Sequence, residues 1–313
     1  MLRGLSMLCF TLLWAVSPTA ADSGVDPKDD VRNPLRYIPS NTLTVIALIV
    51  VLLVGVSQGY LFWRYKGKCM LPMLIGIWTY ALGFVVRFVL HSNPDSIGTY
   101  IVEQLFIVLS PCAFIATEYM IFGRLASYLD GDQYLPISPR KIARTFVISD
   151  VITFSVQGGG SGFTTSQSQS LLKLGQDIFL AGLILQLISF SVFVAMYVRF
   201  LLLVRKSEPL LWHDDQNKPW YKDWRCLAYA ILISSIGVFV RCMYRVIELS
   251  QGFTGHLTTT ESYFYALDTL PLCIAIAMYV PFWPGRFITH IDNPMSRKML
   301  VEGYRMAPQP RSV

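Results

Sequence analysis

Arg241-Cys-Met-Tyr-Arg245-Val-Ile-Glu248-Leu-Ser-Gln-Gly252 places three charged side chains inside an apolar run, 226–249, that is long enough to cross a bilayer. At 3.6 residues per turn, Arg241, Arg245 and Glu248 fall on one face of a helix. Charges at membrane depth are costly unless they meet opposite charges, backbone carbonyls or water. The stretch therefore predicts a helix bundle that encloses a polar cluster.

A second polar run, Glu261-Ser-Tyr-Phe-Tyr265-Ala-Leu-Asp268, opens the next apolar segment. Its spacing puts Glu261, Tyr265 and Asp268 on one helix face. Because only a short loop separates the two runs, we expect the helices to be antiparallel neighbours. Asp268 then lies at the depth of Arg241 and Arg245, so these three groups can neutralise one another, and the candidate pairs are Arg241 with Asp268 or Arg245 with Glu248.

The composition predicts an all-α integral membrane fold. Of the 313 residues, 53% are hydrophobic and 15% are charged, and the mean hydropathy is +0.47, which leaves little room for a soluble domain. Seven runs have a suitable length for a seven-transmembrane-helix bundle, at about 41–63, 69–90, 100–123, 145–160, 177–203, 226–249 and 262–283. The fourth run is short, and we expect its helix to extend at both ends.

The distribution of Lys and Arg predicts the orientation. The connections 64–68, 124–144 and 205–225, together with the tail from 285, hold 17 basic residues, whereas the connections on the opposite side hold 4. Positively charged flanks stay in the cytoplasm, so the N-terminus is expected outside and the C-terminus inside. The net charge of +6 then reflects this bias and an attraction to anionic lipid, and it does not indicate nucleic-acid binding.

The termini predict three further segments. Arg3, an apolar stretch and small residues up to Ala21 are typical of a cleaved signal peptide (1–21), although a short helix that stays attached is the alternative. An extracellular tether (22–40) precedes the seven-helix domain (41–285), and a basic cytoplasmic tail (286–313) follows it. The five cysteines that follow the predicted signal peptide lie within or at the ends of spans, so we expect no disulfide in the outer loops.

Other polar residues lie within the predicted spans. In the outer half, Arg87, Arg241 and Arg245 are expected to face Glu103, Asp177, Glu248 and Asp268. Arg87 either pairs with Glu103 or extends to the membrane surface. Two interpretations of the whole set stay open. The charges either hold the bundle together or line a wet, outward-open cavity that binds the headgroup of an amphipathic ligand.

The third and fourth spans carry a polar path inward. Pro111 should kink the third span and free a backbone carbonyl that a neighbouring side chain or water must satisfy, and Glu118 follows it. In the fourth span, Asp150, Thr153 and Gln157 form one polar stripe. Asp150 has no obvious basic partner at its depth, so we expect it to exchange a proton or to receive a cationic headgroup.

Several functional classes are excluded by missing motifs. The chain has no Walker A sequence, its four histidines lie in loops or flanks, and the seventh span has no Lys for a retinal Schiff base. The ends of the third and seventh spans also lack the common signatures of G-protein-coupled receptors. We therefore expect no enzymatic activity, no cofactor and no metal site.

Three stretches together carry a resemblance to a known family. Ser149-Asp150 through Gln157-Gly-Gly-Gly160, the run 241–252 and the run 261–268 resemble, in this order, the fungal lipid-translocating exporters, which include aminocholesterol-resistance and sphingoid-base-resistance proteins. The resemblance covers about residues 40–285. It implies seven spans, a location in the plasma membrane, with endomembranes or the vacuolar membrane as alternatives, and a part in lipid export or tolerance.

The leading hypothesis is a translocator of single-chain amphipaths such as a sphingoid base, conferring resistance to lipid-like toxicants. One branch of the family is linked to protoporphyrin or haem traffic, so sterol-like and porphyrin substrates stay open. An ammonium headgroup would suit Glu118, Asp150 and Asp268. The alternative is a heptahelical lipid sensor that signals through the cytoplasmic loops. Membrane lipids are the expected partners, and no protein partner is indicated.

Overall fold

The computed structural model describes residues 39–65, 67–92, 96–129, 134–135, 138–163, 169–207, 212, 223–252 and 255–287. The predicted signal peptide (1–21) lies outside the described residues, as does nearly all of the predicted tether and tail. Six long helices occur in this part of the chain: α1 Asn41–Tyr65, α2 Leu71–Ser92, α3 Ile97–Tyr128, α4 Pro139–Phe163, α5 Gln169–Ser207 and α6 Trp224–Ser250.

The seventh helix, α7, is built from three consecutive pieces. They are an α-helical turn Glu261–Tyr263, a π-helical segment Phe264–Thr269 and an α-helix Leu270–Ala277. Pro271 has no N–H, and its ring would clash with the carbonyl four residues earlier in a regular α-helix. The wider π turn directly before it avoids this clash and turns Asp268 and Thr269 into the bundle, where both are buried.

The largest differences from the predicted helix boundaries are in α4, α5 and α7. Helix α4 extends beyond 145–160 at both ends, as expected, and begins at Pro139, a residue favoured in the first helical turn. Helix α5 begins at Gln169, eight residues before the predicted start. Helix α7 ends at Ala277 rather than near 283, and turns lead from there to a short helix, α8 Pro284–Phe287.

Five helical stretches of the described chain are long and apolar enough to cross a membrane: Asn41–Tyr65, Lys68–Ser92, Gly98–Tyr128, Ser170–Ser207 and Trp224–Ser250. Helices α4 and α7 occupy the positions of the fourth and seventh predicted spans, but α4 contains Asp150, Gln157 and several glycines, and α7 is divided by the π-helical segment. The all-α membrane fold is therefore confirmed, whereas the count of seven spans and the orientation stay predictions.

The helices form a closed bundle in which neighbours in sequence are neighbours in space. Each helix from α1 to α7 packs against the next, α7 also contacts α1, and α3 additionally contacts α6. A Cβ added at Gly237 on α6 would lie 2.5 Å from the Pro271 carbonyl oxygen on α7, so only glycine permits this close approach of the two backbones. The approach brings the arginines of α6 against Asp268.

The two halves of the bundle differ in chemistry. One end carries exposed basic residues, among them Arg64, Arg124, Lys141 and Arg205, and is called the basic end below. Next to it, Phe193 packs against five aromatic rings of α3, α4 and α5 at centroid distances of 4.5 to 6.3 Å, from Tyr119, Phe122, Phe146, Phe190 and Tyr197. The opposite half holds the buried ion pairs and is called the ion-pair half.

Candidate functional site

Asp268 lies between the two arginines of α6. Its Oδ1 accepts a hydrogen bond from Arg241 Nε at 2.9 Å and another from Arg245 Nε at 2.6 Å. Arg245 Nη1 also lies 3.1 Å from Glu248 Oε2. Both candidate pairs are therefore present, and Asp268 neutralises both arginines, as their similar depth predicted. All four groups are buried or nearly so.

The proline in α3 explains a further contact of Arg241. In a regular α-helix the N–H of residue 111 would bond to the carbonyl of residue 107, but Pro111 has no N–H. Arg241 Nη2 donates to the Ile107 carbonyl oxygen at 2.7 Å instead. This contact confirms the expectation that a neighbouring side chain satisfies a carbonyl freed by Pro111, and α3 continues through the proline as one helix.

Arg87 joins a second ionic cluster. Its Nη1 lies 2.5 Å from Glu103 Oε1, its Nη2 lies 3.2 Å from Glu261 Oε1, and its side chain is 1% exposed. Of the two alternatives for Arg87, pairing is correct and extension to the surface is wrong. The Phe264 ring lies 4.5 Å from the guanidinium carbon of Arg87 and 5.4 Å from that of Arg245, so it joins the two clusters through cation–π contacts.

The residues predicted to share a face of α7 all point into the bundle, but they meet different partners. Glu261 accepts hydrogen bonds from the Ser40 backbone N–H at 2.9 and 3.0 Å, and the Tyr265 hydroxyl hydrogen-bonds with Thr44 Oγ1 at 2.9 Å. Asp268 instead faces α6. The wider π turn between these residues turns them toward different neighbours.

The prediction that Asp177 belongs to the buried charge set is wrong, because its side chain is exposed. Gly175 is buried against α4, and two residues of α-helix rotate a side chain by about 200°, so Asp177 points away from the bundle. Glu261 takes its place among the negative charges. The sequence placed Asp177 at the start of the fifth span. Because α5 begins at Gln169, Asp177 instead lies two turns inside the helix.

Two carboxyl groups lie deeper in the bundle. Glu118 is fully buried and accepts hydrogen bonds from Ser234 Oγ at 2.5 Å and from Ser235 Oγ at 2.8 Å. Asp150 is 3% exposed. The Tyr119 hydroxyl lies next to it without hydrogen-bond geometry, and neither Asp150 oxygen has a hydrogen-bond partner among the described residues.

The predicted polar stripe of α4 is buried in the structure and continues across to α5 and α3. Gln157 Nε2 donates to Gln186 Oε1 at 2.9 Å, and Gln186 Nε2 lies 3.4 Å from Cys112 Sγ. Gly182 permits this contact, since a Cβ there would lie 2.6 Å from Gln157 Cγ. Amide side chains thus bridge three helices beside Asp150.

Two cavities between α3, α5 and α6 connect the ion-pair half with this region. The larger has a volume of about 50 Å³, and the ionic or polar groups that line it are Arg87, Tyr100, Glu103, Gln104, Arg245, Glu248 and Thr258. The smaller, of about 20 Å³, is lined by Val108, Pro111, Leu183, Gln186, Arg241, Cys242 and Arg245. The two cavities share Val108, Leu183 and Arg245, so they adjoin.

Sequence reasoning missed several members of the site. Helical spacing does not single out Ser235, because a stripe along one helix includes only one of two consecutive residues. Cys112 and Tyr119 carry no charge and read as core residues. Their neighbours Pro111 and Glu118 were the available signal that this side of α3 is polar.

The long apolar helices and the ionic core define an integral membrane protein. A family model described as RTA1 like protein matches residues 73–291, and the chain belongs to this family. The membership confirms the resemblance carried by the three polar stretches.

Several curated proteins of Saccharomyces cerevisiae are similar to the chain. Protein RTM1 is 27% identical over 87% of this chain and 84% of its own length. Protoporphyrin uptake protein 1 is 29% identical over 71% of this chain and 69% of its own length. The sphingoid long-chain base transporter RSB1 is 25% identical over 65% of this chain and 61% of its own length. No solved structure matches the chain.

Proposed function

We propose that the protein translocates amphipathic lipids across its membrane and thereby confers resistance to lipid-like toxicants. The favoured substrate is a single-chain amphipath with a cationic headgroup, such as a sphingoid base. Relatives named for sphingoid-base transport and for protoporphyrin uptake support a lipophilic cargo. The proposed location is the plasma membrane, and the proposed role is not enzymatic.

The observation that carries this proposal is the excess of buried acidic over basic groups in the ion-pair half and the interior next to it. In the ion-pair half, three arginines face four carboxyl groups: Arg87, Arg241 and Arg245 against Glu103, Glu248, Glu261 and Asp268. Glu118 and Asp150 lie further in, and neither forms an ion pair among the described residues. The described interior as a whole therefore holds more acidic than basic groups, which favours a cationic over an anionic headgroup.

The same contacts reassign the carboxyl groups that would receive a headgroup. Asp268 Oδ1 already accepts from both Arg241 and Arg245, so its charge is compensated. Glu118 and Asp150 remain as acceptors for an ammonium group. Arg241 and Arg245 then act as positioning residues that hold Asp268 and shape the wall of the smaller cavity.

The size of the cavities suits the headgroup of such a substrate but not its alkyl chain. A water molecule needs only about 10–15 Å³ of such volume, so the larger cavity of about 50 Å³ has room for a few water molecules or for a compact ammonium group. A long alkyl chain does not fit. The chain would lie along the exposed apolar residues of the neighbouring helices, among them Ile184, Ile188, Val240 and Ile247.

The test is efflux of a fluorescent sphingoid base from preloaded cells with and without the gene. We expect faster efflux with the wild-type protein, loss of the gain with Asp150→Asn, and no change with Asp177→Asn, the exposed matched carboxyl. Unchanged efflux with altered transcription would instead favour a heptahelical lipid sensor.

A further inference from the structure

Asp150 differs from every other buried carboxyl group in the described part of the chain. Glu103 and Asp268 contact arginines, and Glu118 accepts from two serine hydroxyls. For Asp150, both oxygens are buried and neither meets a basic group or makes a well-formed hydrogen bond among the described residues, although the neutral Tyr119 hydroxyl lies beside them. Thr153 Oγ1 bonds to the backbone carbonyl of Asp150 and not to its carboxyl group.

The groups around Asp150 offer it no compensating charge. From α3 it faces the Tyr119 hydroxyl and the Cys112 thiol, and from α6 the Cys242 thiol. Helix α5 contributes the neutral Gln186 to this region. Arg241 also neighbours the two thiols, but Asp268 and the Ile107 carbonyl hold its guanidinium.

A carboxylate in such a place has two ways to avoid an uncompensated charge. It either binds a proton or has a cation beside it, because a lone charge at membrane depth without water or a counter-charge is strongly disfavoured. A proton and a cationic headgroup therefore compete for the same group. This competition is a physical basis for coupling the movement of one to the movement of the other.

We infer that Asp150 is a cation-exchange site at which a proton and an ammonium headgroup bind in alternation, so that lipid movement is driven by a proton gradient. The inference rests on the proposed function. In each exchange, the Asp150 carboxylic acid releases one proton to water in the adjoining cavity, and the carboxylate pairs with one cationic headgroup. One positive charge leaves the site as one enters, and the reverse step releases the lipid.

The surroundings of the site favour exchange over a leak. On the ion-pair side, the cavities reach Gln186 and Cys242, which border the region of Asp150. On the side of the basic end, the Tyr119 ring packs against Phe146 at 5.2 Å and Phe193 at 4.5 Å between centroids. These aromatic rings lie between Asp150 and the basic end, which leaves the ion-pair side as the expected approach to Asp150 in this conformation.

The experiment uses the purified full-length protein in lipid vesicles with an imposed pH difference. The probe is a fluorescent single-chain amphipath with a trimethylammonium headgroup, which has no neutral form that a pH gradient alone would redistribute. An impermeant quencher outside distinguishes external from internal probe, and a trapped dye reports the internal pH. Without a pH gradient, the wild-type protein should only equilibrate the probe.

With the inside acidic, we expect the wild-type protein to accumulate the probe about tenfold per pH unit, since one-for-one exchange makes the two concentration ratios equal at equilibrium. Probe entry should raise the internal pH. Nigericin with K⁺ on both sides, which collapses the pH difference by exchanging H⁺ for K⁺, should abolish the accumulation. Asp150→Asn should lose both the accumulation and the pH change, Asp150→Glu should retain both at a lower rate, and Asp177→Asn should behave as the wild type.

The outcomes separate the inference from the function on which it rests. Probe equilibration by the wild-type protein with no response to the pH gradient would overturn proton exchange and leave lipid translocation standing. Coupling that persists in Asp150→Asn would overturn the assignment to this residue. An absence of protein-dependent probe movement would overturn the proposed function together with the inference.

Discussion

Neutralising Asp268 should strongly destabilise the bundle, because this carboxyl group compensates two buried arginines. In Asp268→Asn, Glu248 is the one carboxylate left of this ionic cluster. It contacts Arg245 but not Arg241. Breaking a buried ion pair by removing one partner costs about 3–5 kcal/mol. Arg241→Gln should cost less, since Asp268 keeps Arg245 and the main loss is the hydrogen bond to the Ile107 carbonyl, about 1–3 kcal/mol.

The contacts also predict which double variant recovers stability. Asp268→Asn with Arg241→Gln leaves Arg245 paired with Glu248, so the charges balance and much of the loss should return. Asp268→Asn with Arg245→Gln leaves Arg241 and Glu248 each without its ionic partner and should not recover. The measurement is the unfolding midpoint in mild detergent during titration with a denaturing detergent. Equal midpoints for the two double variants would refute the pairing scheme.

Three further outcomes are expected. A C-terminal reporter should be cytoplasmic and a tag after Ser23 accessible at the surface, while a tag before Arg3 that persists in the mature protein would contradict signal cleavage. Asp150→Asn should reach the membrane at normal levels yet lose resistance to sphingoid bases; retained resistance would indicate that its carboxyl charge is dispensable. Gly237→Ala should cost about 1–3 kcal/mol in the same unfolding assay, because its Cβ meets the Pro271 carbonyl, whereas Gly59→Ala, with open space around it, should not destabilise.

The helices were predictable because hydropathy is a property of each segment alone. Each of the seven predicted runs overlaps a helix, and the pairing of Arg241 with Asp268 followed from helical spacing and a short loop. Spacing on one helix is local information. It therefore predicts which residues share a face, but not which way that face turns.

The orientation of each face depends on contacts between distant segments. The close packing at Gly237 and the π turn before Pro271 turn Asp268 toward both arginines. The 3.6-residue repeat of a helix does not predict this rotation. Helix α5 turns Asp177 away from the bundle, while α7 brings Glu261 to Arg87. The residue types and depths of the charged groups are thus encoded locally, whereas the partner of each charge is decided by how the packed helices rotate against one another.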